Sequence, residues 1–160
     1  MLYRQLCLLV SGFLFFVFTA QATNFPRGCE VNGFGYSGNY LILNAEGRQT
    51  FFLIQNRSKQ TVQLERHETR DVFMSPKMQT FLAPSHWAAF ASDEQNLNFK
   101  CSSKNEDTLT PISCTEVLEI CQYPRAKFAL SNMGNYWVST NKTQDLVIKE
   151  AVAKGIYLKW

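Results

Sequence analysis

Residues 33–38 read GFGYSG and run on into Asn39-Tyr40-Leu41-Ile42-Leu43-Asn44. The hexapeptide fits the dinucleotide fingerprint G-x-G-x-x-G. It also stands one residue from the serine-hydrolase elbow G-x-S-x-G, because Asn39 follows Gly38 where that motif needs a glycine. Both motifs require a helix directly after the loop. Here Tyr40-Leu41-Ile42-Leu43 is a run of strand formers instead, and only a few residues separate Cys29 from Gly33. Positions 55–59 hold Gln, Asn, Arg, Ser and Lys, with no carboxylate where a dinucleotide fold places one about 20 residues on. GFGYSG therefore reads as glycine-permitted turning between a first strand and a second. That reading turns the chain toward a β architecture.

Outward from this stretch the strand pattern repeats. Ala45-Glu46-Gly47 is a turn, and Thr50–Gln55 follows as a partner strand, so 39–44 and 50–55 are expected to form a hairpin. Thr61–Glu65 alternates apolar and polar, and Met78–Leu82 resumes the pattern after a break at Phe73–Pro76. Trp87-Ala88-Ala89-Phe90-Ala91 is apolar throughout, as a strand buried on both faces would be. Leu97–Cys101 alternates, Ser102–Thr108 is polar, and Leu109–Cys114 is a possible return strand. Thr115–Glu119 reads as a single helical turn capped by Thr115. Lys127–Leu130 and Tyr136–Ser139 flank the turn Asn132–Asn135 and suggest another hairpin. Helical periodicity occurs once, over 144–154, where Val147, Ile148, Ala151 and Val152 form one stripe behind a Thr143 cap. Ile156–Trp160 ends the chain as a last strand. The expected fold is mostly β, a single-domain sandwich of Greek-key type with one C-terminal helix.

The amino end is read separately. Arg4 precedes an apolar run from Leu6 to Phe18, and Ala20-Gln21-Ala22 has the small-x-small form of a signal-peptidase site. The run is shorter than the ~20 residues a spanning helix needs. Residues 1–22 are expected to be a cleaved secretion signal, leaving 23–160 as one β-rich domain in the periplasm or outside the cell. The formal net charge is +3, without a basic run, which argues against nucleic acid as a partner. No stable membrane insertion is expected once the signal is removed.

Without Cys7, which lies in the apolar run, four cysteines remain: Cys29, Cys101, Cys114 and Cys121. In an exported chain an even count implies two disulfides, with three possible connectivities. The expectation is Cys101–Cys114 closing a polar hairpin and Cys29–Cys121 as the second bridge. No C-x2-C pair supports zinc.

Catalytic constellations are sparse. Neither His67 nor His86 stands with a selected nucleophile, and Ser85 would point away from His86 in a strand. The pairs Glu65/Glu68, Asp93/Glu94 and Glu116/Glu119 lie in polar company, not the apolar setting that raises a glycosidase acid. His67, Met74, Met78 and His86 fall within 20 residues and offer the soft ligand set that Cu(I) selects, so copper is the alternative cofactor where none is otherwise expected. Asn56-Arg57-Ser58 and Asn141-Lys142-Thr143 are glycosylation acceptors only in a eukaryotic secretory route. Aromatic residues are abundant, and Tyr136, Trp137, Tyr157 and Trp160 are candidates for a partner surface.

Several stretches, FPRGCEV at 25–31, GFGYSGNYLILN, QTFFLIQNRS, WAAFASD, FKC, CQYPR, KFALSNMGNYWVSTNK and the terminal KGIYLKW, resemble the enhanced-entry protein B family of Legionella-type intracellular bacteria. The resemblance spans nearly all of 23–160 and carries no catalytic motif. It implies an envelope protein linked to entry into, or survival within, host cells. The expectation is a non-enzymatic accessory or binding protein whose partner is another envelope or secreted protein.

Overall fold

The computed structural model describes residues 25–67, 78–129 and 134–158. The expected signal segment, the break at Phe73–Pro76 and the terminal Trp160 lie outside them.

Residues of alternating polarity pair into two antiparallel sheets. One has the order β1-β2-β7-β4-β5, from β1 (Phe34–Ser37), β2 (Tyr40–Leu43), β7 (Leu97–Asn105), β4 (Thr61–Arg66) and β5 (Gln79–Leu82), with β8 (Thr108–Pro111) also paired to β7. The other has the order β11-β6-β3-β9, from β11 (Tyr136–Lys142), β6 (Trp87–Ser92), β3 (Thr50–Asn56) and β9 (Leu118–Tyr123). A small ribbon joins β10 (Lys127–Phe128) to β12 (Ile156–Tyr157). The helices are a single turn α1 (Cys114–Val117) and α2 (Gln144–Ala153).

The second sheet is the middle layer. Phe52, Ile54, Ala88, Phe90, Leu118 and Ile120 face the first sheet and meet Leu41, Leu43, Val62, Leu64, Leu82, Leu97 and Phe99 there. Phe51, Leu53, Ala89, Ala91 and Tyr123 face the other way, onto Val147 and Ala151 of α2 and onto Ile156. Every residue of β6 is buried, as its unbroken apolar run leads one to expect. The small side chains of Ala89 and Ala91 lie in the cluster that α2 enters through Val147 and Ala151. Each large apolar side chain removed from water in these layers stabilises the fold by about 1.5–3 kcal/mol.

GFGYSG contributes β1 and the turn into β2, with Phe34 opposite Leu43 and Ser37 opposite Tyr40. Gly38, at φ +59°, makes that turn in the left-handed region that disfavours other residues. The turn is also where the first disulfide is anchored. Cys101 N–H donates to Asn39 O at 2.8 Å, and Cys114 N–H donates to Gly38 O at 3.2 Å. Cys101 marks the place along β7 where the paired neighbour changes from β2 to β8.

Both expected disulfides are present. Cys101–Cys114 spans 13 residues of chain and Cys29–Cys121 spans 92. The second ties the amino-terminal segment along β9, beside a two-way backbone bridge between Glu30 and Gln122 and a hydrogen bond from Tyr123 Oη to Arg27 O.

Four local expectations are corrected. Strands β2 and β3 do not form a hairpin: they lie in different sheets, because Leu41 and Leu43 bury one face whereas Phe51 to Ile54 are buried on both. The polar run after Cys101 continues β7 to Asn105 and turns only at Glu106–Asp107. Residues 118 and 119 begin β9 rather than ending a helix, and Ser113, not Thr115, stands at the cap of α1. Residues 127–128 pair with β12 while β11 pairs with β6, so no hairpin joins them.

The two bridges should differ in weight, since a longer closed loop removes more entropy from the unfolded chain. On the chain-entropy relation, Cys29→Ala/Cys121→Ala should cost about 4–5 kcal/mol and Cys101→Ala/Cys114→Ala about 3 kcal/mol. Urea unfolding of the two double variants measures the order.

Candidate functional site

The two lateral openings of the sandwich differ. At one, Asn141 of β11 accepts the Ala83 N–H that follows β5, at 2.8 Å through its Oδ1, and the sheets are joined. At the other, the edge strands β1 and β9 are spanned only locally: α1 lies between them, and Tyr36 Oη donates to Leu118 O at 3.4 Å. A depression remains at this mouth, lined by Phe25, Val31, Phe34, Tyr36, Leu118 and Ile120. Val31 is 63% exposed, a large fraction for an aliphatic side chain beside buried apolar residues. Phe34 and Tyr36 meet edge-on with ring centroids 5.7 Å apart.

Backbone parity decides what the two edges present. Asn44 N–H donates to Gly33 O at 2.8 Å, which places the shared hydrogen bonds of the hairpin at Gly35/Ile42 and Ser37/Tyr40. The N–H and C=O of Phe34 and Tyr36 therefore point away from β2. In β9, Gln122 uses its outward groups on Glu30, so Ile120, two residues earlier, also points away from β3. No backbone partner for Phe34, Tyr36 or Ile120 on these sides occurs among the described residues.

Arg57 closes one end of the mouth. Its guanidinium donates to Glu116 O at 3.2 Å and Thr115 O at 2.9 Å, and it pairs with Glu119 at 3.3 Å. Burial pushes the Tyr36 phenol up to about 12; Arg57 opposes this rise and Glu119 adds to it. Burial likewise raises Tyr123 to about 12.

The copper set is not assembled. His67 follows the end of β4 and stacks obliquely on Tyr40, with ring centroids 5.0 Å apart. His86 lies near the start of β4, where its carbonyl accepts the Asn56 N–H and its Nδ1 is 3.0 Å from Pro84 O. Six residues of extended chain, roughly 20 Å, separate the two ends, so the histidines cannot share an ion. Met78 sits beside Arg66, whose Nη1 is 3.8 Å from its sulfur, and Met74 is outside the described residues. No group of three or more His, Cys, Asp or Glu able to hold a metal occurs among the described residues.

The aromatic candidates divide. Trp137 is partly buried: its ring packs on Phe90 at 4.8 Å and Phe99 at 5.4 Å, and its indole N–H is buried without a partner among the described residues, so most of the ring is engaged by the core. Tyr136 is half-buried against the layer that holds α2. Tyr157 is 58% exposed, and Trp160 is outside the described residues. Among the carboxylates, Glu94 pairs with Arg66 at 3.1 Å and accepts from Asn135, so it fastens the loop before β11. Asn56 of the first glycosylation motif is fully buried and donates to Gln60 O and Leu82 O, which removes it as an acceptor of any glycan.

Sequence reasoning missed the mouth. Its signal was the alternation in Leu118-Glu119-Ile120-Cys121-Gln122-Tyr123, obscured by reading 115–119 as helix. Comparison of the chain with protein-family models, curated proteins and solved structures finds no match in any of the three. No helix among the described residues is long and apolar enough to cross a membrane.

Tyr36 and Tyr123 stay protonated in the folded chain above the pH, about 10, at which they ionise when unfolded. Stability that is intact below pH 10 is thus lost as pH rises toward 12. Urea titrations across this range should show the fall. Tyr36→Phe should remove part of it while changing stability at neutral pH by no more than about 1 kcal/mol.

Proposed function

We propose that this is an exported, non-enzymatic binding protein that receives an extended apolar segment of another envelope or secreted protein in the mouth between β1 and β9. The observation that carries the reading is the coincidence, at one opening, of exposed Val31, the apolar lining and two strand edges with outward backbone groups. An extended segment satisfies both needs at once. Its backbone pairs with the edge of β1, and alternate side chains enter the depression, the arrangement of β-strand addition. Arg57 and Glu119 border the apolar lining with charge, which favours a segment with polar residues flanking its apolar ones. Two disulfides suit an oxidising compartment. The resemblance to the enhanced-entry protein B family supports the envelope setting and extends the reading to host entry.

Export makes Thr23 the expected first residue of the mature protein, which mass measurement of the secreted product checks. For the mouth, a library of peptides of alternating apolar and polar residues should contain binders that slow amide exchange at Phe34, Tyr36 and Ile120. Val31→Asp should weaken these binders by about 1–2 kcal/mol, roughly 5- to 30-fold. Leu109→Asp, on β8, should leave them unchanged. Equal loss with both variants, or binding that protects none of the three amides, would sink the assignment.

A further inference from the structure

The segment before β1 also borders a second and more enclosed cleft, through Glu30, Asn32 and Gly33. Asn44, Glu46, Arg48 and Thr50 form the facing wall, and Gln122 of β9 lies between. The volume, 280 Å³, falls just under the ~300–1,000 Å³ of ordinary small-molecule pockets, which limits an occupant to a small molecule.

Gln122 is only 7% exposed, and the hydrogen bonds around it decide its orientation. The Glu30 carboxylate can only accept, so Asn32 presents Nδ2 to it, at 3.2 Å. Asn32 Oδ1 is thereby turned to Gln122, which must donate its Nε2. Gln122 Oε1 is left over, an acceptor on a side chain that is largely buried, open to the cleft and with no hydrogen bond to it among the described residues. Gly33 provides the room: at φ +71°, its missing Cβ would overlap the Gln122 carboxamide. On the facing wall, Asn44 Oδ1 is taken by the Glu46 N–H at 3.1 Å, which leaves its Nδ2 to donate. Arg48 and Glu46 form no ion pair among the described residues.

The cleft thus offers a sheltered neutral acceptor, two carboxylates, and a guanidinium with an amide donor beside it. We propose that it binds a free basic α-amino acid. Ammonium groups are held by Gln122 Oε1, Glu30 and Glu46, and the carboxylate by Arg48 and Asn44. Two carboxylates against one guanidinium select a ligand of net positive charge over a neutral zwitterion. This site is separate from the mouth, and the peptide experiment and the one below fail independently.

The test is an NMR titration of the purified, disulfide-bonded protein with L-lysine. Saturable shifts are expected at the Ala45 and Glu46 amides and the Gln122 side-chain amide, with a Kd of about 1 mM or above, as suits solvated charges. Norleucine, which lacks the side-chain ammonium, and cadaverine, which lacks the carboxylate, should each bind about tenfold more weakly. Arg48→Ala and Glu46→Gln change exposed side chains and should each weaken lysine by a similar factor. Gln122→Met should do the same, and if it fails to fold the two surface variants decide. Absence of saturable shifts at tens of millimolar lysine overturns the proposal. So does equal affinity for lysine and norleucine, or unchanged affinity in Arg48→Ala.

Discussion

Burial of the middle sheet on both faces is the constraint on which the other elements depend. Phe51, Phe52, Leu53 and Ile54 are consecutive and all fully buried, and alternate ones enter different layers. A slip of one residue in β3 would exchange Phe52 and Ile54 with Phe51 and Leu53, and the same slip in β6 would move Ala89 and Ala91 out from under α2. The first sheet can cover only one of these faces. The helix, the β10–β12 ribbon and Phe25, which packs edge-on against Trp87 at 6.0 Å, therefore cover the other.

The glycine stretch that opened as a cofactor fingerprint serves this layering. Its turn brings β1 to the edge of the first sheet, and its carbonyls at Gly38 and Asn39 receive N–H groups from both cysteines of one disulfide. The second disulfide fastens the preceding segment to the edge of the middle sheet. Between these two fastenings lies the mouth, so its width is set by two covalent anchors and by Arg57, rather than by strand pairing. Polar groups inside the fold follow the same economy. Asn56 bonds the carbonyls of Gln60 and Leu82, and Gln49 exchanges two hydrogen bonds with the backbone of Gly134, each tying a loop that no strand neighbour reaches.

What could be read from residue order was whatever depends on local chemistry. Strand formers after Gly38 excluded a cofactor loop, five apolar residues in succession marked β6, and the stripe at 147, 148 and 151 marked α2. An even set of cysteines marked the bridges, because oxidation pairs them wherever the fold brings them together. These signals are local in their cause, so neighbouring residues suffice to carry them.

Pairing between distant residues is a different matter. Residue order suggested that consecutive strands are partners, yet β2 finds β7 and β3 finds β6 and β9, since a strand buried on both faces belongs in a middle layer and a strand buried on one face belongs outside it. The same competition turned Leu118 and Glu119 from helix to strand and set the partly buried Trp137 against Phe90 and Phe99. It separated His67 from His86 by the length of β4, and it set Glu30, Asn32 and Gln122 in one hydrogen-bonded chain across 92 positions. Sequence by itself determined that this chain is a disulfide-bonded β protein with a C-terminal helix. Only the tertiary structure decided where edges stay open and which polar groups converge, because both depend on which faces find cover, and cover comes from residues far away in the chain.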